Sequence, residues 1–234
     1  MGADGMSKSV ISSVVTAAAT RDLTLLATVR EDFGISTTDA SDNFLGRAIS
    51  RASAAAENYC NRVFAAETVK DEIFIDHGDW PHMIVGGLDR LQLSRWPIVN
   101  VSSLTEDSST LSAPADFRND GKNGQLLRLD SDGRLKNWRG NIVVTYLSGY
   151  VLPGQTAGDF PGAEKLPLDI EDAVGRMVYA RFVENRRDPF VRSEIVEGIG
   201  RTDYVVQNQN NSDGGAMSAD VLDLLNNYRV PVIG

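Results

Sequence analysis

The spacing of apolar residues changes character twice along this chain, and those two changes constrain its fold more than any other feature. Leu45, Ala48, Ile49, Ala52, Ala56, Tyr59, Cys60 and Val63 recur at i, i+3/i+4, i+7, which is one buried stripe of an α-helix. The spacing predicts a helix over 42–62, and Ala54–Ala56 make it slim enough for a neighbour to approach closely. After Phe64 the pattern shortens. Thr68–Ile75, Leu88–Leu93, Val99–Leu104, Leu126–Leu129 and Ile142–Leu147 read as strands, rich in β-branched and bulky side chains. Asp120-Gly121, Asn123-Gly124 and Asp132-Gly133 mark turns between them. Pro167, Leu168 and Asp169 then open a second helix, with Ile170, Ala173, Val174, Met177, Val178 and Phe182 as its apolar stripe. Arg186-Arg187-Asp188-Pro189 closes it. The expected class is α+β: a long-helix bundle with a small, mostly antiparallel β-subdomain inserted between the helices, and an extended C-terminal arm.

Punctuation sets the expected boundaries. Residues 1–21 are small and polar, a loosely ordered arm with a short helical or extended piece at Val10–Val15. Asp22 is the expected N-cap of a helix carrying Leu23, Leu26, Ala27 and Arg30, stopped at Gly34. A first helical segment spans 22–66 and the β-rich insert 67–150. A second helical segment spans 151–190, beginning with a Gly/Pro loop at 151–166. The arm, 191–234, is extended and polar at first. It passes through the low-complexity stretch Gln207–Gly215 and ends in a short helix begun at Ser218, with Val221, Leu222, Leu224, Leu225 and Tyr228 as its apolar side. An apolar helix on a polar linker needs a receiver, and a partner surface is the favoured one over the chain's own core.

Composition excludes several functions. At 234 residues, 42% hydrophobic and 24% charged, the chain is long enough for a real core. The formal net charge of −9 opposes sequence-independent DNA binding, which draws on a basic footprint, but suits a lining that lets DNA slide past. A single cysteine allows no internal disulfide and favours a cytoplasmic origin. No apolar run approaches the length of a membrane-spanning helix.

The candidate chemical sites are sparse. His77, Asp79 and His82 are metal-ligand types, but no further histidine exists to complete a set, and a loop is the simpler reading. Cys60 falls on the buried stripe of its helix rather than beside a base. Ser148-Gly149-Tyr150 and Gly198-Ile199-Gly200 are neither a phosphate loop nor a dinucleotide fingerprint. Trp80, Trp96 and Trp138 all lie in the β-region and are expected to pack its core. No catalytic, cofactor or metal residue is assigned, and the chain is expected not to be an enzyme.

Four stretches in this order resemble the head–tail connector (adaptor, or head-completion) proteins of long-tailed phages and gene-transfer particles. They are Glu57–Phe64, Leu93–Leu104, Gly140–Tyr150, and Leu166–Ile170 leading to Tyr179–Arg186. The resemblance covers about residues 22–190, and more weakly 224–229. The segment 76–89 and the N-terminal arm depart from it. It implies a virion structural protein at the head–tail junction, assembled in the host cytoplasm as a ring of identical subunits, usually twelve. Such a ring docks on a portal protein and hands over to a stopper or tail-terminator protein. DNA passes through it without sequence-specific binding, and no membrane is involved. It further implies that the C-terminal arm reaches the portal, with Tyr204, Val206, Val221, Leu224, Leu225, Tyr228 and Arg229 as portal-binding candidates. Arg181, Arg186 and Arg187 are candidates for contacts between subunits. A different virion component, such as a tail terminator, and a small metal-dependent hydrolase are the alternatives.

Overall fold

A computed structural model describes residues 7–76, 88–186, 193–196, 200–203 and 217–230. The protein has an α+β fold, and the chain divides into two compact units: residues 1–21 with 63–165, and residues 22–62 with 166–234.

The first unit is built on strands. They are β1 (Ser7–Thr16), β2 (Glu67–Asp76), β3 (Arg90–Gln92), β4 (Ile98–Glu106), β5 (Ser109–Thr110), β6 (Phe117–Asp120), β7 (Gln125–Leu129), β8 (Leu135–Lys136) and β9 (Asn141–Ser148). A five-stranded antiparallel sheet runs β1-β2-β9-β4-β5, and a smaller sheet runs β3-β7-β6 with β8 on β7. β9, a run of bulky and β-branched residues, alternates in burial, with Ile142, Val144, Tyr146 and Ser148 buried between less buried neighbours. Leu91, Leu126, Trp138 and Ile73 are fully buried in the same core. Trp138 also satisfies its indole N–H on the Leu126 carbonyl at 2.9 Å, as a buried indole must. Trp96 is only half buried, and Trp80 lies outside the described residues.

The N-terminal arm is where expectation and structure diverge. Residues 7–16 are not a loose arm: of the two readings of Val10–Val15 the extended one holds, within a full edge strand paired with β2 from Ser7–Asp76 to Val14–Val69, with an irregularity before Thr16–Thr68. Its sequence hides this because no face is buried: Val10, Ile11, Val14 and Val15 are all substantially exposed. There is therefore no in–out alternation to read. The backbone ladder, not side-chain burial, defines the strand.

Two buried carboxylates pin this unit. Glu67 has a fully buried side chain flanked by the guanidinium groups of Arg21 and Arg95, and it accepts the Ala18 amide at 3.1 Å. Burial pushes its pKa up, but these donors, Arg21 foremost, outweigh burial and hold it below the usual carboxylate range. Asp71 accepts from the Tyr146 hydroxyl at 2.8 Å and from the Ser94 amide and hydroxyl at 2.8 and 2.7 Å. The segment entering β4 is thereby fastened to the middle of β2.

The second unit holds α1 (Leu26–Phe33), α2 (Asp42–Cys60), α3 (Leu168–Arg186), the hairpin β10 (Ser193–Val196) and β11 (Gly200–Asp203), and α4 (Ala219–Asn226). Asp22 does not cap α1. That helix begins four residues later, after Leu25, and has no side-chain cap, because Leu23 is fully buried and its amide is taken by the Ser53 hydroxyl at 2.9 Å. α2 is capped by Ser41, whose hydroxyl accepts the Phe44 amide at 3.3 Å. It ends at Asn61 in the left-handed region, φ 50°. α1 packs on α3 through Phe33 and Tyr179, stacked with centroids 4.9 Å apart. Gly175 makes that approach possible: a Cβ there would sit 3.1 Å from the Phe33 ring.

Candidate functional site

The first candidate surface is the C-terminal helix. The sequence left its receiver open and favoured a partner; in the structure the receiver is the chain's own helical unit. Val221 and Leu225, one turn apart, are 2% and 0% exposed. The Cys60 thiol donates to the Leu225 carbonyl at 3.6 Å. The Tyr59 hydroxyl donates to the Asn226 side chain at 2.6 Å, and the Arg229 guanidinium lies 5.1 Å over the Tyr59 ring. The Tyr228 hydroxyl donates to Asp169 at 3.4 Å. Leu224 and Tyr228 are half-buried and Arg229 is exposed. Of the candidate portal-binding residues, therefore, Val221 and Leu225 are committed to internal packing, whereas Leu224, Tyr228 and Arg229 retain accessible surface. Tyr204 and Val206 lie outside the described residues.

Cys60 sits at the centre of this contact, fully buried. Burial pushes its thiol up to about 11, so the nucleophilic thiolate is suppressed at neutral pH.

The second candidate surface lies at the other end of the α2–α3 pair. A depression of about 490 Å³ is lined by Phe44, Arg47, Ala48 and Arg51 from α2 and by Arg181, Glu184 and Asn185 from α3. Phe44 and Ala48 belong to the half-buried and buried side of α2, while Arg47, Arg51 and Arg181 are exposed. These three arginines make no ion pair or hydrogen bond among the described residues. Arg186 differs: it pairs with Asp39 at 3.0 Å and lies 5.3 Å over the Phe182 ring. Arg187 lies outside the described residues. Of the three sequence candidates, then, Arg181 is the one described without an ion pair or hydrogen bond among the described residues. Arg47 and Arg51 were missed, since exposed helix positions carry no motif. The available signal was weak: two like charges at i, i+4, one turn apart on an exposed helix face.

No cluster of metal-ligating side chains occurs among the described residues; His77, Asp79 and His82 fall outside them. No helix among the described residues is long and apolar enough to cross a membrane.

No protein-family model matches the chain, and no curated protein matches it either. Solved structures do share its fold. A chain from the neck of an empty GTA particle, computed with C6 symmetry, aligns at a TM-score of 0.50 and 18% identity, over 96% of this chain and 98% of that one. A chain from the virion of a native gene transfer agent particle aligns with the same figures. At such identity the likeness is one of fold, and it runs nearly end to end in both chains.

Proposed function

We propose that this chain is a structural, non-catalytic subunit of the neck of a phage-like particle. More finely, it is a connector (adaptor) that forms a ring beneath the portal protein and joins it to the stopper or tail-terminator protein. The observation that carries the reading is the near-complete fold overlap with chains from gene transfer agent particles, one of them a neck. The four-stretch resemblance over residues 22–190 points the same way independently. The net charge of −9 suits a passage that DNA traverses without adhering. In this reading Tyr204, Val206, Leu224, Tyr228 and Arg229 face the portal, while Val221 and Leu225 set the orientation of the helix that presents them.

Cryo-electron imaging of particles carrying a labelled copy of this chain tests the proposal. The expected result is a ring of label density at the portal–tail junction. Density anywhere else, or particles without the chain, overturns it. A chain carrying Leu224→Ala and Arg229→Glu, which keeps the buried Val221 and Leu225, should fold but fail to join the particle; normal docking of that variant removes the arm from the reading.

A further inference from the structure

α2 and α3 pack antiparallel, because the start of α2 (Phe44, Arg47, Ala48, Arg51) and the end of α3 (Arg181, Glu184, Asn185) line one depression. α4 belongs to the opposite end: Val230 bonds to Cys60 at the end of α2, and Tyr228 bonds to Asp169 at the start of α3. At 1.5 Å rise per residue, Ala48 and Cys60 are about 18 Å apart along α2. The helical unit therefore carries, at one end, cations without an ion pair among the described residues, and α4 at the other. α4 presents Asp220 and Asp223, both exposed and without an ion pair among the described residues. They lie three residues apart, on neighbouring positions of one helix face.

Three arginines without an ion pair among the described residues, outnumbering the one carboxylate Glu184, line a partly apolar depression and make it a receptor for carboxylates, since guanidinium groups bind carboxylate oxygens in a fork-like geometry. The complementary carboxylates stand on the same molecule but at the far end of the helix pair, where they cannot reach the depression. Two different, mutually complementary patches at opposite ends of one body meet head to tail between copies, and such contacts close into rings when the rotation permits. We infer that the Arg47–Arg51–Arg181 depression of one copy receives the Asp220–Asp223 end of α4 from a second copy. The inference rests on the ring reading of the proposed function and names the residues that make the contact. A duplex phosphate backbone is the competing occupant. The Phe44 and Ala48 lining, Glu184 beside it and the net charge of −9 favour an inserted carboxylate pair from another copy.

The test uses the full-length purified chain, in sedimentation velocity at low and high salt. The wild type should self-associate at low salt and dissociate as salt rises. Arg47→Glu/Arg51→Glu/Arg181→Glu and Asp220→Lys/Asp223→Lys should each be monomeric, because each opposes like charges at the contact. An equimolar mixture of the two variants should associate again, since every contact between unlike copies is then complementary. Circular dichroism and thermal unfolding should match the wild type, all five positions being exposed. If the triple variant fails to fold, Arg181→Glu alone serves, with a weakened association expected. A wild type that stays monomeric at low salt, variants that associate as the wild type does, or a mixture that does not recover overturns the inference. So does fluorescence anisotropy showing that the wild type binds duplex DNA and the arginine variant does not. These outcomes are separable from failure of the neck reading, which imaging of particles decides without reference to the purified chain.

Discussion

The Val230 amide donates a 2.9 Å hydrogen bond to the carbonyl oxygen of Cys60. One of the terminal carbonyls of α2, which has no partner within its own helix, is thus satisfied by the segment that follows α4. Together with the Cys60 thiol on Leu225, this makes the end of α2 and the C-terminal helix one packed object.

That packing shields Cys60, and the shielding is measurable. In the native protein the thiol should resist alkylation by iodoacetamide at pH 8. Removing residues 217–234 should expose it, with a large rise in rate followed by mass spectrometry. Leu225→Ala should destabilise the helical unit by about 2–4 kcal/mol, as expected for a buried leucine, and raise the labelling rate in step. A truncated chain that labels as slowly as the full chain would show that α4 does not cover Cys60.

Cys60 also sets an alkaline limit. Its folded thiol is pushed up to about 11, against about 8.5 for an unfolded cysteine. Above the lower value the unfolded chain releases a proton that the folded chain keeps, so stability falls with rising pH until the folded thiol ionises too. Chemical denaturation of wild type and Cys60→Ala across that window should show the excess loss in the wild type only.

Glu67 sets an acid limit of opposite sign. Its pKa is held low in the folded state, so its contribution is present above the unfolded value of about 4.3 and is lost as pH falls through the folded one. Glu67→Gln leaves Arg21 and Arg95 without a counter-charge and should cost about 1–3 kcal/mol at neutral pH. The difference from wild type should shrink in acid, read from denaturant midpoints at a series of pH values.

Gly149 is fixed by space as well as by angle. Its φ is +111°, and a Cβ would lie 2.3 Å from the Ala65 carbonyl oxygen. Gly149→Ala should lower stability by at least about 1–3 kcal/mol, whereas Gly46→Ala, at a helix position with open space around it, should be neutral or stabilising. Thermal unfolding of the two variants provides the comparison.

What could be read in advance follows from what was buried. α2 was legible nearly to the residue, because Leu45, Ala48, Ala52 and Ala56 mark a fully formed apolar stripe, and β9 was legible from the run of bulky and β-branched residues Ile142–Leu147. β1 was legible only as a short piece at Val10–Val15, with extended one of two readings, because the exposed residues 9–16 leave no signature beyond their β-branched side chains. Asp22 looked like a cap because caps are local, yet Leu23 is drawn into the core and moves the helix start along. The arginines of the candidate site were half visible. Arg181 stood at the end of a recognisable helix, while Arg47 and Arg51 acquire meaning only when α3 is laid against α2. The receiver of α4 is likewise a tertiary fact.

The two ends of the β-insert are tied to each other. Ala66 donates to the Tyr150 carbonyl at 3.0 Å, and Tyr150 donates to the Phe64 carbonyl at 2.8 Å, beside a bridge between Ala65 and Tyr150. The entropy of closing a loop grows with the length of free chain between its ends. Once this clasp has formed, the helical unit no longer bears the cost of a long excursion: from the helices' side, the chain leaving near Phe64 returns near Tyr150 as though by a short connection. The sequence distance between α2 and α3 then overstates the distance the folding chain must search. Insertions within the β-unit should leave the helices' search nearly unchanged, while cutting the clasp would restore the full length of the loop.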